Sequence, residues 1–131
     1  MNARSTWLGK QRRPIGEGAK KREQAEAKQA REFEKLLMWH RCDFWHCTVA
    51  QASQPGYPDY TIFGDGWHAW VELKARAEGS RRAGVVSVTQ RRYKASIEAS
   101  GGEWRSFLWP DQMKETNDWL NAKTGRGVVF T

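Results

Sequence analysis

The chain has 131 residues, of which 39% are hydrophobic and 28% are charged, so it can bury one modest core. No apolar run approaches the roughly 20 residues that a membrane helix needs, and Met1 to Gly18 lack the apolar segment of a secretory signal. Its two cysteines argue against a disulfide framework. We therefore expect a cytoplasmic protein, from a bacterial cell or a virus-infected host cell.

The net charge of +7 is unevenly distributed along the chain. Residues 1–31 contain nine Lys and Arg against three Glu, whereas residues 32–131 contain 13 Lys and Arg against 12 Asp and Glu. A basic segment on a nearly neutral body favours a polyanionic partner, nucleic acid first, although a solvated tail kept for solubility would have the same charge. We expect residues 1–16 to be a flexible basic arm and residues 17–131 to form one domain.

The first half of the chain predicts one helix and three strands. A helix is expected from about Glu17 to Arg41, with an apolar face at three- and four-residue spacing, and an aromatic and β-branched strand over 44–49. Residues 51–58 contain two prolines and a glycine and predict a loop. Residues 59–63 and 67–74 then form a hairpin, because Asp65-Gly66 is a strongly favoured two-residue turn.

The second half predicts a basic loop over 75–84 and a helix that opens at Ser87 and ends at Gly101-Gly102. A strand over 103–109 follows, and then a helix capped by Asp111 that ends near Leu120. Residues 125–131 are expected to be a tail or a short edge strand. This order predicts a mixed α/β fold whose last core strand returns through a crossover helix.

The predicted hairpin places two acids opposite each other. With a two-residue turn, Asp59 faces Glu72 with Cβ atoms roughly 4.5–5.5 Å apart. Opposed carboxylates repel each other unless a cation lies between them, and a hard divalent cation prefers oxygen ligands. Glu72 and Lys74 share a face of the strand, whereas Leu73 points into the core with its carbonyl near the site. Three charged side chains thus converge on one face.

Two acids and an ammonium group suit metal-dependent hydrolysis of a phosphodiester. The metal polarises the phosphate and lowers the pKa of a bound water, while the lysine orients that water or offsets charge on phosphorus. The sequence has no comparable Ser/His/Asp or Cys/His arrangement and no phosphate-binding P-loop, so NTP hydrolysis is not expected. Each acid, considered alone, also has a purely structural explanation. Asp59 would cap a turn, and Glu72 would pair with Lys74 in solvent.

These residues resemble a known nuclease pattern. Pro58-Asp59, then twelve residues, then Glu72-Leu73-Lys74 is similar to the PD-(D/E)xK superfamily. The resemblance extends over about residues 30–110 to the VRR-NUC branch, through the Gly56-x-Pro58-Asp59 segment, Val71–Lys74, a Gly-containing basic loop, Ser87-x-x-Gln90 and the Gly101-Gly102 helix end. It implies a restriction-endonuclease-like α-β-β-β-α-β core, a mixed sheet flanked by helices, and Mg²⁺ or Mn²⁺ held by Asp59, Glu72 and the Leu73 carbonyl.

The resemblance also implies a glutamate on the first helix that completes the metal site. The candidates are Glu26, Glu32 and Glu34. We choose Glu32, which lies four residues before Leu36 and seven before Trp39, with Glu34 as the next choice. Gln90 is assigned to the catalytic site by the same resemblance, although its spacing from Ser87 also makes a capping box.

The expected activity is that of a DNA endonuclease acting on the phosphate backbone of branched or duplex DNA, such as four-way junctions or flaps. A homodimer is expected from the resemblance and the small size. Basic residues beside such a site favour phosphate contacts over a solvated face. They are Arg12, Arg13, Arg76, Arg81, Arg82, Arg91, Arg92 and Lys94. The alternatives are a non-catalytic nucleic-acid-binding protein and a nuclease subunit of a larger complex.

Two further groups of residues have simpler interpretations. His40, Cys42, His46 and Cys47 have the composition of zinc ligands without a standard spacing, so we interpret them as core or surface residues. The eight tryptophans are expected mostly to fill the core. Trp67 and Trp109 are named as candidates for stacking on an unpaired base.

Overall fold

The computed structural model describes residues 17–47, 55–75 and 86–129. Within these ranges the chain forms helices and strands in the predicted α-β-β-β-α-β order, followed by one more helix, so the mixed α/β fold is confirmed. The elements are α1 (Glu17–Trp39), β1 (Asp43–His46), β2 (Tyr60–Gly64), β3 (Trp67–Ala75), α2 (Val88–Ala99), β4 (Trp104–Trp109) and α3 (Met113–Thr124).

The strands form one mixed sheet in the order β1-β2-β3-β4. β2 pairs antiparallel with both β1 and β3, whereas β4 runs parallel to β3 and is reached through α2. Gly64 pairs with Trp67 and Tyr60 with Val71, so the register expected from a two-residue turn is confirmed. Gly66 takes a φ of +79° in that turn, a left-handed conformation that favours glycine.

One face of the sheet packs against α1 and α3 and contains the core. Alternate residues of the strands point to this face. Phe33 of α1 makes edge-to-face contacts with Tyr60 and Trp109, with ring centroids 4.8 Å and 5.5 Å apart. The buried cluster is completed by Leu36, Leu37, Cys42, Ile62, Val71, Phe107 and Leu120.

Helix α2 covers part of the opposite face, over β3 and β4. It begins at the predicted capping box, in which the Ser87 hydroxyl accepts from the Gln90 backbone N–H and the Gln90 side chain accepts from the Ser87 backbone N–H. Gly102, just after the end of α2, packs closely against β3, since a Cβ there would lie 2.6 Å from the Trp70 ring. The first turn of α2 lies beside the hairpin, where Gln90 contacts Glu72 and Lys74.

A buried histidine joins the end of α1 to α3. His40 is 1% exposed, and its Nε2 lies 2.7 Å from Asn117 Oδ1 while its Nδ1 lies 3.0 Å from Thr124 Oγ1. Burial lowers the pKa of His40, which keeps the ring neutral. Asn117 and Asn121 both donate to the Val128 carbonyl, so this network also fixes the segment after α3.

Some predicted boundaries differ from those observed. Asp111 was expected to cap the last helix, but this is wrong, because α3 begins at Met113 with Gln112 at the N-cap position and extends to Thr124. Residues 125–129 form no strand. The predicted arm over 1–16 and most of the basic loop lie outside the described residues. Within the described ranges, no helix is long and apolar enough to cross a membrane.

Candidate active site

A cleft of about 560 Å³ opens where β2 begins and β3 ends, beside the middle of α1. The hairpin contributes the predicted acids and lysine to its wall, α1 contributes small and polar side chains, and the end of β1 contributes two more residues. The lining residues are Glu26, Ala27, Gln29, Ala30, His46, Cys47, Asp59, Tyr60, Glu72, Leu73, Lys74 and Ala75. The structure therefore brings Asp59, Glu72, Leu73 and Lys74 together.

The strand register fixes the two carboxylates against the backbone of the facing strand. The Asp59 backbone N–H donates to Glu72 Oε2 at 3.2 Å, and the Leu73 backbone N–H donates to Asp59 Oδ2 at 2.9 Å. The antiparallel pairing of Tyr60 with Val71 continues by one more step to make these reciprocal bonds possible. Each acid is thus oriented by the main chain beside the other acid.

Gln90 of α2 connects the lysine to one of the acids. Lys74 Nζ donates to Gln90 Oε1 at 2.7 Å, and Gln90 Nε2 donates to Glu72 Oε1 at 2.6 Å. Lys74 Nζ also lies 3.6 Å from Glu72 Oε1. Because the Ser87 backbone N–H donates to Gln90 Oε1 at 2.9 Å, the capping box and the site contact occur together, and the two interpretations of Gln90 are compatible.

The two acids oppose each other electrostatically. Burial and the negative charge of Asp59 raise the pKa of Glu72 to about 7, although Lys74 acts in the opposite direction. Burial also raises the pKa of Asp59, against the stabilising hydrogen bond from Leu73. The anionic forms of both acids are therefore disfavoured even beside the Lys74 ammonium. A divalent ion bound between the carboxylates would remove this cost.

The donor set fits a hard cation that keeps several water ligands. Mg²⁺ and Mn²⁺ are held in many sites by one or two carboxylates together with substrate phosphate and water, and the hairpin provides two carboxylates and the nearby Leu73 carbonyl. Within the described part of the chain, no group of three or more His, Cys, Asp or Glu side chains is placed to hold a metal ion.

The structure places Glu26, and not Glu32, in the cleft wall. Glu32 points along the helix surface, with its carboxylate 4.0 Å from Lys28 Nζ, and Glu34 accepts from the Tyr60 hydroxyl at 2.8 Å. Glu26 lies seven residues before Phe33 and so shares its face of the helix, a spacing that the sequence already shows.

His46 and Cys47 are cleft residues that the sequence analysis did not assign to the site. The His46 ring stacks on Tyr60 with centroids 4.4 Å apart, and its Nδ1 lies 3.7 Å from Glu34. The Cys47 backbone N–H donates to the Asp59 carbonyl at 2.7 Å, which joins the end of β1 to the start of β2. That pairing brings both residues to the cleft, and it was not evident before the register of β1 was known.

Only some of the predicted DNA-contacting residues can be located. Arg91 and Arg92 are exposed on α2, and Lys94 lies over the Trp104 ring at 5.2 Å from its centroid. The other five, Arg12, Arg13, Arg76, Arg81 and Arg82, lie outside the described residues. Ala75, the last described residue before three of them, lies in the cleft wall.

The two tryptophans named for base stacking are not available for it. Trp109 is 1% exposed in the core, and Trp67 packs against that core and against Trp119. Exposed tryptophans are found instead at Trp39 and Trp45.

Comparison of the whole chain with models of protein families, with curated proteins and with solved structures gave no match.

Proposed function

We propose that the protein is a metal-dependent DNA endonuclease of the PD-(D/E)xK type, similar to VRR-NUC nucleases, with its site on the β2–β3 hairpin. One observation carries the proposal. Asp59 is half-buried and Glu72 is buried, the two face each other, and their pKa values are raised although Gln90 holds Lys74 beside them. A fold retains such a costly arrangement when a ligand uses it.

Each residue has a distinct role in the proposed reaction. Asp59 and Glu72, with the Leu73 carbonyl, would hold Mg²⁺ or Mn²⁺, which supplies the charge that polarises the phosphate and acidifies a water. The Lys74 ammonium offsets negative charge on the phosphoryl oxygens or orients the attacking water. Gln90 positions Lys74 and Glu72. Glu26, which lies in the cleft wall, is our choice over Glu32 for the helix glutamate that completes the site.

The proposal is tested with labelled single strand, duplex, flap, splayed-arm and four-way junction DNA in Mn²⁺. Asp59→Asn and Glu72→Gln should lose cleavage by at least about 100-fold and should bind Mn²⁺ more weakly in calorimetry. Lys74→Ala should lose cleavage and keep the metal. Glu98→Gln, an exposed acid on α2, is the matched control.

Wild-type rates in any of the three site variants would overturn the assignment. Binding of DNA without cleavage of any substrate in Mn²⁺ would instead favour a non-catalytic binding protein. Cleavage that appears only after a second protein is added would favour a subunit of a larger complex. EDTA should stop cleavage in every case in which the proposal holds.

We also propose that the enzyme is a homodimer that prefers branched DNA. One site cuts one strand, so symmetrical cleavage of a junction needs two sites related by a two-fold axis. The basis is the resemblance together with the small size of the chain. Sedimentation that shows only monomer at micromolar concentration, with no preference for junctions over duplex, would contradict this.

A further inference from the structure

The sheet face that is shared by β1, β2 and β3 and not covered by α2 presents aromatic rings to solvent. The register places Trp45 opposite Thr61 and Thr61 opposite Trp70, so these three form a row across the strands. Phe63 faces His68 in the next row. Trp45 is 55% exposed and Phe63 is 48% exposed. Trp70 is only partly exposed, because Gly102 at the end of α2 packs closely on its ring. We call Trp45, Phe63 and His68 the aromatic platform.

The aromatic platform is continuous with the cleft. Side chains alternate along β3, so His68, Trp70, Glu72 and Lys74 all point to the same face. The row of Thr61 and Trp70 lies two residues from the facing pair of Asp59 and Glu72, which corresponds to roughly 6.6 Å along the strand. Trp45 lies in this row, so the exposed rings begin one row from the carboxylates and extend away from them.

The chemistry of the platform suits bases and not phosphates. Its members include no Lys or Arg, and Asp43 faces Phe63 at the end away from the cleft. The platform therefore offers no cation to a sugar-phosphate backbone, whereas every base has a flat π-face that stacks on an aromatic ring. Trp70 lies beside the platform and is held in place, because its Nε1 donates to the Tyr57 hydroxyl at 3.2 Å and His68 packs on its edge.

We propose that the aromatic platform binds the unpaired bases of a nucleic-acid strand whose backbone lies at the cleft. This rests on the proposed function and narrows its substrate class to DNA with unpaired bases next to the cut, as in a flap or an opened junction. In a continuous duplex the bases are stacked on one another and present only their edges, so the platform adds nothing to duplex binding.

The test measures binding by fluorescence anisotropy in Ca²⁺, so that it does not depend on cleavage. The probes are labelled oligothymidylate, an abasic oligomer of the same length, and a duplex. Trp45→Leu keeps an apolar side chain and removes the ring, Trp45→Tyr keeps a ring, and Met38→Ala removes another exposed apolar residue, 66% exposed on α1.

Trp45→Leu should weaken oligothymidylate binding by about five- to tenfold, leave the abasic oligomer and the duplex within twofold, and be rescued by Trp45→Tyr. Met38→Ala should change nothing, and Phe63→Leu should repeat the effect of Trp45→Leu. Circular dichroism and thermal unfolding confirm that each variant is folded, which is expected because both rings are solvent-exposed.

Equal losses on oligothymidylate and the abasic oligomer would overturn the inference, because the platform would then contact the backbone. Equal losses on all three probes, with a change from dimer to monomer in sedimentation, would assign the face to a second copy of the chain and would also overturn it. If wild-type protein binds none of the probes, the proposed function itself fails. If it binds and cuts DNA but Trp45→Leu has no effect, only the platform is wrong.

Discussion

Ionisation of Glu72 should lower the free energy of unfolding, because burial and the charge of Asp59 raise the pKa of Glu72 from 4.5 to about 7. A carboxyl whose folded pKa is raised stabilises the fold below the unfolded pKa, and this contribution is lost as pH rises through the folded value. The free energy of unfolding of metal-free protein should therefore carry a Glu72 penalty that develops between about pH 4.5 and pH 7.

Glu72→Gln should remove this penalty, so its stability relative to wild type should increase by on the order of 2–3 kcal/mol between pH 5 and pH 8 in EDTA. Urea unfolding at the two pH values measures the difference and cancels the opposing titration of His40, which both proteins share. Mn²⁺ should stabilise wild type more at pH 8 than at pH 5, since protons compete with the metal. A difference independent of pH would show that the Glu72 carboxyl is not perturbed.

The helix glutamate offers a second comparison at the residue scale. Glu26 lies in the cleft wall, whereas Glu32 is six residues further along α1 and pairs with Lys28. We expect Glu26→Gln to increase the Mn²⁺ concentration needed for half-maximal cleavage by about tenfold, because a negative charge in the cleft wall is lost. Glu32→Gln is the matched control and should leave that concentration unchanged. The opposite pattern would restore Glu32 as the ligand.

At the scale of elements, the first turn of α2 links helix stability to the site. Ser87→Ala removes the hydroxyl that accepts from the Gln90 backbone N–H, and should lower the free energy of unfolding by about 1 kcal/mol. Cleavage should fall as well, because Gln90 then holds Lys74 and Glu72 less firmly. Thermal unfolding and turnover are measured beside Ser96→Ala, an exposed position within the same helix that should be neutral or slightly stabilising. Loss of stability in both variants would contradict the role of the cap.

The same elements show which parts of the molecule local sequence can predict. The hairpin register followed from one turn, and the capping box from a three-residue spacing, because in both cases the interacting groups are neighbours in the chain. Asp111 was assigned as a cap on local preference, yet α3 begins after Gln112, whose Oε1 accepts from the Leu108 backbone N–H at 2.7 Å. Contacts with the end of a strand decided that boundary, and such contacts depend on the assembled sheet.

At the scale of the whole molecule, the packing of helices on the sheet determines which side chains are exposed and which reach the cleft. Trp45 and Trp109 have similar strand surroundings in the sequence, but one is exposed and the other is buried. Which of them faces solvent depends on how far α1, α2 and α3 extend across the two sheet faces. The same holds for His46 and Cys47, which reach the cleft through the pairing of β1 with the segment before β2. The hydrophobic periodicity of the sequence does not show which part of each sheet face a helix covers.

The basic arm is expected to contribute affinity rather than chemistry. Deleting residues 1–16, which lie outside the described residues, removes Arg4, Lys10, Arg12 and Arg13. If these make about three phosphate contacts, the slope of log K against log salt should flatten by about two to three units. Fluorescence anisotropy across a salt series in Ca²⁺ measures the slope for the full-length and truncated proteins. Turnover at saturating DNA and thermal stability should be the same in both. An unchanged slope would show that the arm does not touch the backbone, and lost turnover would place it in the site or the dimer.

The Asp65-Gly66 turn limits which insertions and deletions the hairpin can tolerate during evolution. It lies six residues from Asp59 and from Glu72, about 20 Å along the hairpin, and touches neither. A slip of one residue in the pairing would nevertheless set Asp59 opposite Val71 or Leu73 and turn Glu72 and Lys74 toward the core. Selection for activity should therefore leave the exposed Asp65 free to change in identity, while insertions and deletions survive only where they leave the pairing of Gly64 with Trp67 intact.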